Sequence, residues 1–289
     1  MYIYIILSIL IIIIVLILYI NKKELFVNTA EIKNYYNENI TNIIDGPFPN
    51  TTPKNIVIPL NIFTHWHTKD LKPGMLKAVN MMKETNPEFN FYLYDNDDCR
   101  AFIKKNFDKE VLIAYDCLIP QAYKSDLWRY CILYIYGGVY YDIKFIPVNG
   151  FKLINIMDKE HFVLENYISK PNTDYPGIFN GLIISKPNNI ILKDTINQIV
   201  ENVKIKYYGN IPVEPTGPFL LSKKYKSYER YNNIDIFIDF KNWPQYLVMY
   251  NHYIILQIYE NYREEQNYNK KHKDYRQLWN DRAIYNDCF

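Results

Sequence analysis

The chain has 289 residues, 49% of them hydrophobic and 22% charged, which is long and apolar enough to bury a full core and excludes a largely disordered protein. Its 33 basic and 31 acidic residues leave a net charge of +2, and no run of Lys or Arg follows a phosphate backbone, so nucleic acid is excluded as the main partner. Four cysteines, Cys99, Cys117, Cys131 and Cys288, form no C-x-x-C pair and no metal-ligand spacing, and they read as buried thiols.

Residues 2–20 carry no charge, and as a helix they reach about 28 Å, close to the thickness of a bilayer's hydrocarbon. They are expected to form an uncleaved transmembrane anchor (1–20). A signal peptide would have a shorter apolar core, basic residues ahead of it and a small-residue cleavage site. Lys22 and Lys23 behind the span put the globular part in the cytoplasm by the positive-inside rule. Asn39-Ile-Thr41 and Asn50-Thr-Thr52 are glycosylation acceptors that matter only in a lumen, so sidedness stays open. Residues 21–54 are polar and Asn-rich, end in Pro47, Pro49 and Pro53, and read as a stem. The rest, 55–289, is one domain with a core over 56–220 and a C-terminal extension over 221–289.

Within that domain Ile56–Phe63 reads as a buried strand, and Pro73–Glu84 as a helix with proline in its first turn. Phe89–Tyr94 is an alternating strand and Asp97–Phe107 a helix, with Asp95, Asp97 and Asp98 serving its cap and first turn. His65 and His67 point the same way from a strand, yet no third zinc ligand is near in sequence. The next helix begins at Pro120, has Ser125 available as a local cap, and is stopped by Gly137 and Gly138. Val139–Val148, Phe162–Asn166 and Gly181–Ser185 are strands, Ile190–Ile205 is a long helix, and Thr216-Gly-Pro opens another. A strand near Ile234–Phe240 and a Tyr-rich tail follow, in which His272, Tyr275 and Trp279 share one helical face. The alternation predicts an α/β fold with a mostly parallel, doubly wound sheet.

Asp126 and Arg129 are three apart on their helix, so they share a face over one end of the strand that carries the isolated carboxylate Asp142. Ligands of open α/β sheets settle at the carboxyl ends of strands, which makes this junction the candidate site.

The residues Ser125-Asp126-Leu-Trp-Arg129-Tyr130, Leu133-Tyr134, Gly137-Gly138-Val-Tyr140 and Asp142 resemble the sugar-binding segment of the family 32 glycosyltransferases. Ile62–Trp66, Asn86-Pro87, Tyr92–Asp97, Phe179-Asn180-Gly181 and Thr216-Gly217-Pro218 resemble flanking motifs of the same family. The resemblance implies a GT-A type, Rossmann-like fold that takes a nucleotide-diphosphate sugar and passes the sugar to a glycan or other hydroxyl acceptor with retention. Carried over residue by residue, Trp66 stacks on the base, Asp126 and Arg129 hold the donor sugar, and Arg129 nears the diphosphate. Gly138, Tyr140 and Asp142 belong to the ribose and sugar side, Asn180 approaches the donor, and Thr216 with Gly217 approaches the acceptor. Asp142 and Lys144 occupy the catalytic motif.

That motif is where the chain departs from its family, since the pattern Asp-x-Asp reads Asp142-Ile-Lys144 here. The family's second carboxylate helps hold a divalent cation, Mn2+ or Mg2+, against the leaving diphosphate. Either Asp142 and C-terminal ligands, with His272 a candidate, hold the metal, or Lys144 supplies the charge without one. A catalytically silent sugar-nucleotide-binding or scaffold protein on the same fold is the competing class.

Overall fold

The computed structural model describes residues 43–165, 176–229, 233–240, 246–267 and 273–288. The expected anchor at 2–20, the stem up to residue 42, Asn39 and His272 lie outside the described residues. Among the described residues no helix is long and apolar enough to cross a membrane.

In chain order the domain runs β1 (Asn61–His65), α1 (Pro73–Thr85), β2 (Asn90–Tyr94), α2 (Asn96–Asn106), α3 (Lys109–Cys117), α4 (Gln121–Tyr136), β3 (Gly138–Tyr141) and β4 (Phe145–Pro147). It continues with β5 (His161–Glu165), β6 (Ile178–Ser185), α5 (Ile190–Lys204), α6 (Pro218–Tyr228), β7 (Ile236–Asp239), β8 (Leu247–Tyr250), β9 (Tyr253–Ile258), α7 (Tyr262–Asn267) and α8 (Tyr275–Asn280). The strands join one sheet in the order β2-β1-β3-β6-β5-β7-β8-β9-β4. Pairing is parallel at β1–β2, β1–β3 and β5–β7 and antiparallel elsewhere, so the expected mostly parallel sheet is a mixed one. The reason is that β6, β8 and β4 each run against their neighbours, while β5 and β7 run with β3. Only three residues separate β3 from β4, yet β4 is the last strand at the far edge, so the sheet curls until that edge meets the end of β3.

Successive residues of β3 serve opposite faces, as a strand requires. Tyr140 enters the cluster built by helices α2 to α6, whereas Val139 and Tyr141 enter the one that α1 covers. Helices thus lie on both faces, as the doubly wound reading expects. Residues 43–54, read as the end of the stem, lie against the domain: Ile44 bridges to Tyr253, and Phe48 packs edge-on against Phe151 and Tyr253.

Several boundaries move, each for a local reason. The first strand starts at Asn61 instead of Ile56, because Pro59 lacks an N–H and its carbonyl takes the Asn61 N–H in a turn. Val139–Val148 is two strands, since the Phe145 N–H closes a turn onto the Asp142 carbonyl and sets Asp142, Ile143 and Lys144 between them. Ser125 is not a cap; α4 starts after Pro120 and the Ser125 hydroxyl lies inside the helix, accepting from Arg129. Helix α3, absent from the sequence reading, is capped by Asp108. The expected cap of α2 forms as a reciprocal box between Asp95 and Asp98.

Two of the four cysteines are bonded to each other. Cys117 and Cys288 form a disulfide across 171 residues, correcting the reading of four buried thiols, while Cys99 and Cys131 remain free and buried. The backbone there is paired as well, through Ile119 N–H to Ile284 O and Asn286 N–H to Cys117 O.

Gly137 and Gly138 end α4 with φ of 60° and 108°. A Cβ on Gly138 would stand 2.5 Å from the Asn61 carbonyl oxygen, a backbone atom that cannot swing aside. Gly138→Ala is expected to lower stability by about 3 kcal/mol, from left-handed strain and the split between β1 and β3. Chemical denaturation would show it; a loss under about 1 kcal/mol would mean the contact relaxes freely.

Candidate functional site

A cleft of about 310 Å³ opens at the carboxyl ends of β1 and β3, the parallel neighbours that stand second and third in the sheet. Its floor is Arg129, Tyr140 and Asp142, and Trp66 and His67 stand beside it where the chain leaves β1. Gln121, Ser125 and Arg129 are four apart along α4 and turn one face of that helix into the wall. The opposite side is closed by Tyr262 and Gln266, one helical turn apart on α7.

The Arg129 guanidinium organises the floor. Its Nε donates to the Ser125 carbonyl at 3.2 Å and Nη2 donates to the Ser125 hydroxyl at 2.9 Å. Nη1 donates to the Asn180 carbonyl at 2.8 Å and to Asp142 Oδ1 at 3.2 Å. The group lies 4.4 Å from the centre of the Tyr140 ring, so a planar cation is held on a π face and by a fork of acceptors at once.

Asp142 receives three donors. The Tyr140 hydroxyl donates to Oδ1 at 3.0 Å alongside Arg129, and Lys144 Nζ donates to Oδ2 at 2.7 Å. Burial pushes this carboxyl up, but Lys144 and Arg129 outweigh it and hold the group below the usual carboxylate range. The Gly181 N-terminal neighbour Asn180 brings its own carbonyl to Arg129, while the Gly181 carbonyl accepts the Asp142 N–H at 2.7 Å. A Cβ at Gly181 would meet Asp142 Oδ2 at 2.5 Å, so glycine there leaves room for the carboxylate.

Asp126 is brought into the same network but sits behind the floor. Its Oδ1 accepts from Asn180 Nδ2 at 2.9 Å and its Oδ2 from the Thr216 hydroxyl at 2.8 Å, with Arg129 Nη2 at 3.5 Å. Burial raises its pKa even with Arg129, Thr216 and Asn180 around it. Asn180 also donates to the Tyr130 hydroxyl at 2.8 Å. Asn180 and Thr216 therefore orient Asp126, and Gly217 packs beside that carboxylate, where a Cβ would stand 3.4 Å from Oδ2. Of the sequence-derived site residues, Trp66, Arg129, Tyr140 and Asp142 meet in the cleft, and Asp126, Asn180, Thr216 and Gly217 support it from behind. Gly138 is the correction: it opens β3, at the end of the strand away from Asp142, and serves the backbone alone.

Lys144 comes to Asp142 by a different route from the one its spacing suggested. The two residues share a turn rather than a strand face, and the turn bends the ammonium back onto the carboxylate. There it lies 5.1, 5.2 and 5.7 Å from the ring centres of Phe145, Phe179 and Tyr246, nearly closed from solvent.

His65 and His67 have separate partners. His65 Nε2 lies 3.0 Å from Asn96 Oδ1, and the His67 ring packs on Trp66. Tyr275 packs on Tyr123 and Trp279 Nε1 donates to the Tyr208 carbonyl, so that face of α8 is structural. Tyr262 and Gln266 escaped the sequence reading entirely. Their helix is pinned by Glu265, which accepts from the Gly74 and Met75 N–H groups at 2.7 and 2.8 Å across about 190 residues, and no local pattern announces that.

Burial lowers the pKa of His65 to about 4, and that of His161 likewise. Both are neutral in the folded chain between pH 4 and 6.5 but charged when unfolded, so stability is expected to fall as pH drops through that window. His65→Asn keeps a polar group for Asn96 and should flatten part of the slope of denaturation midpoint against pH. An unchanged slope would show that His65 titrates as in solution.

A guanidinium, a carboxylate and an indole thus line one cleft at the ends of two parallel strands. Residues 73–163, the segment that builds its floor, match the family described as glycosyltransferase sugar-binding region containing DXD motif. The resemblance to the family 32 glycosyltransferases thus holds over Asp126, Arg129 and Asp142. The chain is 35% identical over 104 residues to an uncharacterised glycosyltransferase of Acanthamoeba polyphaga mimivirus, covering 36% of this chain and 39% of that one. It is 25% identical over 179 residues to inositol phosphoceramide mannosyltransferase 2 of Schizosaccharomyces pombe, covering 60% and 48%. The matches thus span two fifths to half the length of these curated relatives. Among solved structures it is similar to PaToxG glycosyltransferase, with a TM-score of 0.45 at 20% identity over 72% of this chain and 80% of that one.

The family pattern implies a divalent cation, and the donor set of this chain does not fit one. Position 144 is an ammonium instead of a carboxylate, and both oxygens of Asp142 are already engaged by cationic or hydroxyl donors. Among the described residues no three His, Cys, Asp or Glu side chains come together as a metal site.

Proposed function

We propose that this chain is a GT-A type glycosyltransferase that moves a hexose from a nucleotide-diphosphate sugar to a hydroxyl of a glycan or glycolipid. The observation that carries the reading is the Arg129–Asp142 pair, 3.2 Å apart on the floor of the cleft that Trp66 walls. Trp66 offers a π face for the base, Arg129 a charge for the diphosphate, and Asp142 acceptors for ribose or sugar hydroxyls.

Sugar transfer passes through an oxocarbenium-like state, so the tasks are to steady the departing diphosphate and to hold the acceptor oxygen against the anomeric carbon. Arg129 serves the first task. Asp142 is a poor base, because the cations beside it depress its proton affinity. That favours front-face transfer with retention, in which the leaving diphosphate itself takes the acceptor proton. Mannose is the first sugar to test, since one relative is named as a mannosyltransferase.

The anchor at 2–20 remains part of the proposal, making the chain a single-pass membrane protein. The Cys117–Cys288 disulfide favours a domain on the oxidising side of that membrane, in line with Asn50-Thr-Thr52. Purified full-length chain should be incubated with a panel of UDP- and GDP-sugars and glycolipid acceptors, with transfer and donor hydrolysis followed by mass spectrometry. Turnover of one donor with an axial or equatorial product matching the donor's anomer is expected. Donor binding with no turnover under any acceptor would favour the silent sugar-nucleotide-binding class.

A further inference from the structure

We infer that the cleft takes its donor without a divalent cation, and that Lys144 holds there, through Asp142, the charge a metal ion brings elsewhere in the family. The inference rests on the proposed sugar-nucleotide reading and specifies how that site is charged.

Replacing the second Asp of the family pattern by Lys exchanges one negative for one positive charge, a change of two positive units, and a divalent cation brings the same two. A site with two acids at the motif plus a divalent ion carries the same sum as one with Asp142 and Lys144 and no ion. The substitution therefore does not leave the diphosphate facing an uncompensated carboxylate.

Geometry shows that the ammonium is built in. Lys144 Nζ donates to Asp142 Oδ2 at 2.7 Å, occupying the oxygen that Arg129 and Tyr140 leave open. Three rings, Phe145, Phe179 and Tyr246, stand within 5.1 to 5.7 Å of it, and its side chain is only 12% exposed. A lysine displaced by an incoming metal would have to leave this aromatic cage and its carboxylate together, and the ion would then meet one carboxylate with two cations beside it. Lys144 does not itself line the cleft, so it acts as a positioning residue: it keeps Asp142 ionised, oriented and closed to metal.

The test uses full-length protein in detergent, stripped with EDTA. Titration calorimetry with UDP and GDP should give an affinity that changes by less than about threefold between EDTA and added Mn2+, and electron paramagnetic resonance should show no stoichiometric Mn2+ uptake. Lys144→Asp restores the family pattern and is expected to bind Mn2+ and to need it, with at least about tenfold tighter nucleotide binding in its presence. Should that variant fail to fold, Lys144→Met keeps the bulk in the cage; it should lose about tenfold in affinity in EDTA and regain part of it with Mn2+. Stoichiometric Mn2+ on the wild-type chain, loss of its nucleotide binding in EDTA, or a Lys144→Met variant indifferent to both would overturn the inference. Failure to bind any nucleotide in every condition would sink the sugar-nucleotide reading instead, and the Mn2+ uptake of wild type against Lys144→Asp, measured without nucleotide, would still decide the cation question.

Discussion

Asp142→Asn is expected to lower kcat/KM for sugar transfer by about 10² to 10³, the usual effect of removing one preorganised charged contact from a water-poor site. The asparagine keeps the shape, so Arg129 and Tyr140 retain an acceptor where Oδ1 stood. On the other side its amide presents hydrogens to the Lys144 ammonium, replacing a charge-assisted bond of 2.7 Å with a donor facing a donor. The site then holds Arg129 and Lys144 with no negative partner on the floor, and Lys144 is pushed back among its three rings. Arg129 loses one of the acceptors that orient it, so on the proposed reading the loss should appear in kcat and in donor affinity together. Steady-state kinetics beside circular dichroism would separate this from misfolding, and a folded Asp142→Asn with full activity would remove Asp142 from the reaction.

Arg129→Met is expected to have the largest effect on stability, about 3 to 5 kcal/mol, the cost of breaking a buried ion pair by deleting one partner. The guanidinium satisfies the Ser125 and Asn180 carbonyls, the Ser125 hydroxyl and Asp142 at once, and it lies beside Asp126. Methionine fills the volume but removes the side-chain donor that the Asn180 carbonyl and the Ser125 hydroxyl face, and leaves Asp142 with Tyr140 and Lys144 alone. For a chain of this size the loss corresponds to a fall in Tm of roughly 10 °C, read by differential scanning calorimetry. The direction with pH is diagnostic. Asp126 already has a raised pKa, and without the guanidinium it should take a proton still more readily, so the deficit of the variant should shrink as pH falls. Arg129→Lys should recover part of the stability but little of the donor binding, because an ammonium cannot span the fork of acceptors. A Tm within about 2 °C of wild type for Arg129→Met would show that the network closes without its cation.

Much of the site was legible because its signals are short in range. The stop after α4, the cap of α2, the proline that opens α6, and the relation between Asp126 and Arg129 all depend on residues within a few positions of one another. The motif pattern carried Trp66, Tyr140 and Asp142 to the cleft in the same way. Where local reading failed, the failure also had a local cause: the β-prone stretch Val139–Val148 hides a turn at Asp142, closed by a hydrogen bond from the Phe145 N–H.

The amino-acid sequence by itself determined that this is an α/β chain with a lone acid and an arginine at a helix–strand junction, since propensity, capping and glycine stops act between near neighbours. Only the tertiary structure decided the direction of the strands, the placing of Asp126 behind the floor, the closure of the cleft by Tyr262 and Gln266, and the Cys117–Cys288 bond. It also decided that Lys144 meets Asp142 inside an aromatic cage drawn from β4, β6 and the start of β8's approach at Tyr246. Such pairings join residues as far as 191 positions apart, and their free energy comes from burial and charge in a shared space that no run of neighbouring residues encodes.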